Sequence, residues 1–430
     1  MAFGFQRRAL RGLNLHLLPT DRFRRVTAVL AWQEELSEET ASPFALLPRV
    51  LRRGSRRHPA LPDLERALAG LYGASLSAGV EKIGDRHVAT LAMTWPAARY
   101  VPGQDAAAGL LARALELLLE VLADPLLEGG AFPADRVAEE RQAQIERIRA
   151  LINDKPAYAV RRCVAAMCAG EPYGASELGD PGRLEALDGS ALATFHRRVL
   201  EGSPLDLFVL GDVDPDELAE AAERALDRLP EGRRPAALPG PVLRTAREEP
   251  QRLEETQPME QGWLILGMRG DIGFDHPLRP ALEMYNGILG GFVHSKLFMN
   301  VRERASLAYS AFSRLVRSKG LVLAMAGIDP AKRQEAEDIM LRQVEDTRAG
   351  RISDEELEAT RRSLIDRIRS DMDRPGAVIR SALEREIFGG DGDAEEEIRA
   401  LSEVSKDDVR EVARRVQLDT VYFLHWPARQ

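Results

Sequence analysis

The sequence predicts an α+β protein of two homologous domains joined by a linker, each domain a mainly antiparallel sheet with helices packed on one face. Three observations carry that expectation: a length of 430 residues, an internal repeat at an offset of 220 residues, and the same order of apolar strands and amphipathic helices in both halves. At roughly 150 residues per domain, the length calls for two or three domains with cores large enough to need no disulfide or metal staple.

The repeat is clearest between FPADRVAEERQAQIERIRALIND, from Phe132, and ISDEELEATRRSLIDRIRSDMDR, from Ile352. Under the shift Arg141 meets Arg361, Ile145 meets Ile365, Arg147 meets Arg367 and Ile148 meets Ile368, and Lys-Pro or Arg-Pro follows each copy. Spacings of three and four put these side chains on one face, so each copy reads as an amphipathic helix. Ser353, with Glu356 three residues on, forms a capping box that sets where the second copy begins. Each half then ends in a helix and an apolar strand: LEALDGSALATFHRRV and LDLFVLGDVDP answer IRALSEVSKDDVREVARRV and LDTVYFLHWP. Earlier, the strand-like VTAVLAW and GWLILGM precede a helix, and HVATLAM and LVLAMAG follow one. From Leu229 to Pro250, prolines and charges replace hydrophobic periodicity, which makes 229–250 a linker between domains over 1–228 and 251–430.

The chain is 44% hydrophobic, 30% charged and 6% aromatic, an ordinary globular balance. Its net charge of −9 argues against an electrostatic grip on nucleic acid or anionic lipid. Arg113, Glu116, Glu120 and Asp124 interrupt the most apolar stretch, so no membrane span is expected. Arg11, Asn14 and His16 likewise break what would be the apolar core of a signal peptide, and the expected location is the cytoplasm. Cys163 and Cys168 lie five apart in one expected helix, without the spacing of a zinc or redox pair, and read as reduced core residues. None of the seven histidines stands three to five residues from another, and GxSxG, Walker and strand-linked GxGxxG motifs are absent, so no cofactor is expected.

The segment NGILGGFVHSKLFMNVRERASLAYSAFS, Asn286 to Ser313, resembles the C-terminal half of the insulinase and pitrilysin metallopeptidases, mitochondrial processing peptidase among them. There a glycine turn opens a helix that ends in an Arg-containing Leu-Ala-Tyr or Leu-Gly-Tyr run. The resemblance implies a clamp of two LuxS/MPP-like metallohydrolase domains over the whole chain. It also implies substrate contact by Arg302 and Tyr309, seven residues apart, with Gly290 and Gly291 admitting close approach of a peptide or partner backbone.

Active members of that family carry His-x-x-Glu-His in the first half. Anchoring the comparison on Gly54 and Ser55 puts Ala45 and Arg49 at the histidine positions and Pro48 at the general-base glutamate. Glu140 falls on the supporting glutamate and Arg147 on the third zinc ligand. A guanidinium has no lone pair to give and keeps its proton, so no catalytic metal is expected here. The charge of Arg49 and Arg147 is expected to replace the cation and pair with Glu140. The resemblance therefore implies a non-catalytic subunit that pairs, as a heterodimer, with an active zinc peptidase homologue and helps enclose a peptide substrate; a homodimer is the other possibility. Within the family, GGFVHSKLFMNVRE is most similar to a bacterial group of inactive homologues named for association with elongation factor P 5-aminopentanol modification. The alternative is a structural scaffold, as in the non-proteolytic core subunits of the respiratory cytochrome complex; a third reading keeps enzyme status through another metal or site.

Overall fold

The computed structural model of the chain describes residues 4–103, 109–390 and 392–426. The first half runs β1 (Gln6–Leu10), β2 (Leu13–Pro19), β3 (Arg25–Glu35), α1 (Ala41–Leu51), α2 (Leu61–Gly70), β4 (Ser75–Ile83), β5 (Arg86–Pro96), α3 (Leu110–Ala123), α4 (Ala134–Ala150), α5 (Lys155–Met167), α6 (Pro181–Glu185), α7 (Gly189–Gly202), β6 (Leu205–Gly211) and α8 (Pro215–Ala225). Its sheet has the order β1-β2-β6-β3-β5-β4, antiparallel except for the β2–β6 pair. The second half runs β7 (Gln251–Thr256), β8 (Gly262–Arg269), α9 (Arg279–Asn286), β9 (Ala308–Val316), β10 (Leu321–Ile328), α10 (Arg333–Arg348), α11 (Asp354–Asp371), α12 (Pro375–Phe388), α13 (Ala394–Glu403), α14 (Lys406–Arg415) and β11 (Gln417–His425). Its sheet order is β7-β11-β8-β10-β9, again with one parallel pair, β7–β11. Residues 229–250 carry no helix or strand.

The strands expected from apolar runs are the central ones, and β3 pairs with β5 as β8 pairs with β10. The two repeat copies are α4 and α11. The capping box is formed: Glu356 N donates to Ser353 Oγ at 3.0 Å and Ser353 N to Glu356 Oε2 at 2.8 Å.

Each half packs most of its helices on one sheet face, in a core built around Trp32, Phe44 and Leu46 in the first and Leu266, Tyr285 and Leu297 in the second. The other face of each sheet is closed by a helix from the opposite half, which the repeat alone does not reveal. Helix α5 lays Ala159, Cys163, Val164 and Met167 on Ile265, Leu323, Met325 and Tyr422 of the second sheet. Reciprocally, α12 lays Val378, Ile379, Ala382 and Leu383 on Val29, Ala31, Phe208 and Leu210 of the first. Burying two apolar faces reciprocally ties the halves together through the hydrophobic effect. Gly267 permits the approach of α5: a Cβ there would stand 3.3 Å from Cys163 Sγ and collide with Met167.

Charges reinforce the seam. Arg269 of β8 donates to Glu171 at 2.6 Å, and Asp419 of β11 receives Arg247 of the linker at 2.5 Å. Glu255 of β7 accepts from Tyr158 and Arg162 of α5 at 2.6 and 2.7 Å and from Tyr422 at 2.7 Å. Buried carboxylates keep their charge only when compensated in this way.

Candidate functional site

Helix α1 carries Ala45, Pro48 and Arg49, the residues expected to correspond to the two histidines and the general base. Ala45 is fully buried in the core, and Pro48 sits inside the helix with its carbonyl accepting from Arg52 N at 3.1 Å. Burial pushes the Arg49 guanidinium below its ordinary value, Arg147 pushes it further the same way, and Glu140 opposes them. The Nε of Arg49 is buried and has no hydrogen-bond partner among the described residues. Arg49, Glu140 and Arg147 are therefore brought within electrostatic reach of one another, although the expected direct pairing is different. Among the described residues the ion-pair partner of Glu140 is Arg53, whose guanidinium spans Glu139 at 2.5 Å and Glu140 at 3.4 Å. Arg53 is one helical turn beyond Arg49, and so reaches the carboxylate of α4 from the end of α1. Arg147 instead donates to Gln144 Oε1 at 3.1 Å, and Gln144 Nε2 donates to Leu178 O at 2.9 Å. With alanine and two guanidinium groups at the expected ligand positions and proline at that of the general base, the donor set does not fit zinc.

A cavity of about 460 Å³ lies between the two halves. Its walls come from β4 and α5 on one side and from β9 and β10 on the other. Strands β4 and β9 are the last strands of their sheets. Lys82, Arg161, Arg314 and Arg380 line it with Glu81 and Glu177, giving the chamber a cationic balance. Lys82 Nζ donates to the carbonyls of Tyr173 at 2.8 Å and Ala175 at 3.2 Å, and burial lowers its ammonium below the usual value. Burial raises the Glu177 carboxyl, but Arg161, donating at 2.6 Å, and Lys82 outweigh it and hold it below the usual range. None of these lining residues was expected from sequence motifs. The alternation Phe312, Arg314, Val316 on one face of β9 is the signal that points to them.

The segment expected to run as one helix from the glycine turn to Tyr309 is built differently. Gly290 and Gly291 close a helical stretch, 287–291, that continues α9 with wider turns, so they end a helix rather than open one. Gly290 has a packing reason: a Cβ there would lie 2.7 Å from the Phe312 carbonyl carbon, inside the backbone of β9. Arg302 lies in a second such stretch, Phe298–Arg304, with its guanidinium 4.7 Å from the Phe298 ring centroid and 3.6 Å from Glu303. Ser306 then takes a left-handed conformation, φ +51°, which stops the helix before β9. Tyr309 is therefore a strand residue. The β9–β10 register slips there, Gly327 facing Ser310 and Ile328 facing Ala308, which leaves Tyr309 unpaired and 80% exposed. Among the described residues no hydrogen bond joins Arg302 to Tyr309.

Residues 186–364 match the family described as Peptidase M16 inactive domain. The chain is 31% identical over 413 residues to the "Probable inactive metalloprotease YmfF" of Bacillus subtilis, covering 96% of both chains. It is also 28% identical over 313 residues to an "Uncharacterized zinc protease" of Streptomyces coelicolor, covering 70% of this chain and 67% of that one. Among solved structures, a conserved protein from Enterococcus faecalis superposes with a TM-score of 0.91 at 28% identity, over 99% of this chain and 100% of that one. A peptidase M16 inactive domain from Pseudomonas fluorescens shares the fold, with a TM-score of 0.80 at 18% identity over 99% of both chains.

Proposed function

Since this chain belongs to the peptidase M16 family and lacks zinc-binding side chains on α1, we propose that it is a non-catalytic subunit of a zinc metallopeptidase complex. In this reading it pairs in the cytoplasm with an active homologue and helps to bind or enclose that partner's peptide substrate. The observation that carries the reading is the cavity between β4 and β9: two sheet edges flank one chamber lined by the cations Lys82, Arg161, Arg314 and Arg380. An extended peptide supplies the backbone N–H and C=O groups that such edges leave unpaired, and a cationic lining favours its carbonyls and C-terminal carboxylate. Tyr309 on its bulge and Arg302 on the preceding helical stretch stand at the edge of the same half and are assigned to substrate contact. Gly290 supports that contact by keeping the helix end against β9, and Gly291, which packs on Asn286, is assigned to it as the second residue of the turn. Val293, 70% exposed, and Met299 add apolar surface for a partner on the same segment.

The deciding experiment mixes the purified chain with a co-encoded homologue that carries His-x-x-Glu-His. Zinc content, complex mass and peptide hydrolysis are measured for each chain alone and for the mixture. A stable complex that hydrolyses peptides faster than the homologue alone supports the reading. A complex with no gain in hydrolysis and no peptide binding by this chain points to the scaffold alternative. Chelator-sensitive hydrolysis by this chain alone overturns both.

A further inference from the structure

On the face of the first sheet that α12 covers, opposite the core that holds α1, three ligating side chains converge from three elements. His16 of β2, Asp206 of β6 and Glu386 of α12 each place one ligating atom within 4.8 Å of the other two. His16 and Asp206 are 4% and 1% exposed. Among the described residues this is the one group of three such side chains close enough to share an ion. The parallel register of β2 and β6 makes it: His16 pairs with Phe208, two residues beyond Asp206, and the shared parity turns both ligands toward α12. We infer that His16, Asp206 and Glu386 form a binding site for a divalent first-row transition cation that fastens α12 of the second half to the first sheet.

Distances, charge and surroundings support it. His16 Nε2 and Asp206 Oδ1 are 2.9 Å apart. Two metal bonds of about 2.0–2.2 Å meeting near a right angle span about that distance, so a cation replaces the shared proton with little movement of either side chain. Glu386 is the carboxylate from across the domain boundary. Arg7 holds its Oε1 at 2.9 Å, and among the described residues Oε2 carries no hydrogen bond. Two carboxylates, Asp206 buried and Glu386 at the rim, face the single guanidinium of the more exposed Arg7, and a divalent cation adds the positive charge that the pair of carboxylates calls for. Asp206 also has the outer partners that orient a ligating carboxylate. Asn14 Nδ2 donates to its Oδ1 at 3.1 Å and Gln33 Nε2 to its Oδ2 at 3.3 Å. The His16 ring stacks on Phe208 with centroids 4.2 Å apart, which fixes the direction of Nε2. A nitrogen and two carboxylates suit zinc, manganese or cobalt in preference to magnesium or calcium. Occupancy is structural in this reading, a clip between the halves, and it is independent of the degenerate position on α1.

The test uses the full chain stripped with EDTA and titrated with Zn²⁺ alone, read by bound metal after gel filtration and by calorimetry. One equivalent of Zn²⁺ and a rise in Tm on loading are expected. His16→Gln and Glu386→Gln should each weaken binding at least tenfold, and Gln33→Leu about tenfold. Circular dichroism separates loss of binding from loss of fold. If His16→Gln unfolds the chain, Glu386→Gln at the rim decides alone. Failure of the wild-type chain to retain Zn²⁺, or equal affinity in wild type and Glu386→Gln, overturns the site.

Discussion

Lys319 Nζ lies 2.9 and 3.0 Å from the two carboxylate oxygens of Asp85 and 3.1 Å from Glu171, with no part of its side chain in solvent. The lysine belongs to the turn between β9 and β10 and the two acids to the first half, so one ammonium closes the seam between the halves. Removing it leaves Asp85 buried without its counter-charge. Lys319→Met should cost about 3–5 kcal/mol in a urea titration, and adding Asp85→Asn should recover part of the loss. An additive double variant would mean that the pair is not coupled.

The glycines at the end of the α9 stretch should differ sharply. Gly290→Ala pushes a methyl group into the backbone of β9 and is expected to cost about 1–3 kcal/mol, whereas the nearest atom to a Cβ at Gly291 is 3.3 Å away, at Asn286 O. Gly291→Ala should leave Tm nearly unchanged. Thermal melts of the two variants decide, and equal shifts would remove the packing role given to Gly290.

Acid should weaken the fold through two histidines. Burial lowers His87 and His196 to about 4 each, while their Nε2 atoms bond the carbonyls of Glu177 and Leu122 at 2.9 and 2.7 Å. Below the unfolded value of about 6.5, the unfolded chain takes up protons that the folded chain refuses. Stability is therefore lost as pH falls from 6.5 toward 4, by up to about 3 kcal/mol for each histidine. His196→Gln should flatten its share of that slope in denaturant titrations at pH 7, 6 and 5.

Both thiols should be inert in the native state. Burial raises the Cys163 thiol far above its usual value, and raises Cys168 to about 11 although Arg269 opposes it. At pH 8 the thiolate is then scarce and shielded. Labelling should be at least about 100-fold slower than for free cysteine, and two equivalents should react after unfolding. Rapid native labelling of one thiol would show that α5 lifts off the second sheet.

In the reconstituted peptidase complex, Arg302→Ala and Tyr309→Phe should each lower turnover by about tenfold, the loss of one to two kcal/mol of hydrogen bonding, without changing complex mass. Unchanged kcat/KM in both variants would withdraw the two residues from substrate contact.

Much of the architecture was legible in the amino-acid order because its signals are local. The helices α4 and α11 follow from apolar spacing, the start of α11 from Ser353 and Glu356, and the central strands from uninterrupted apolar runs. The loss of zinc chemistry is equally local, because an alanine, a proline and two arginines cannot ligate wherever they fold. Tyr309 was misplaced onto a helix because a left-handed Ser306 and a bulge are backbone events, and Leu-Ala-Tyr does not announce them. The partner of Glu140 was misplaced for a related reason: Arg53 lies in the turn that closes α1, and only the path of the chain beyond the helix end brings it, rather than Arg49, onto the carboxylate of α4.

The residue order by itself determined the duplication, the helix and strand content and the lack of zinc-donating side chains on α1, since these depend on side-chain type and spacing along one segment. Tertiary structure alone decided that α5 and α12 change sides, that two sheet edges share one chamber, and that His16, Asp206 and Glu386 meet. Those contacts join residues about 100 to 370 positions apart, and their register is set by which apolar faces remain to be buried once each half has formed its own core.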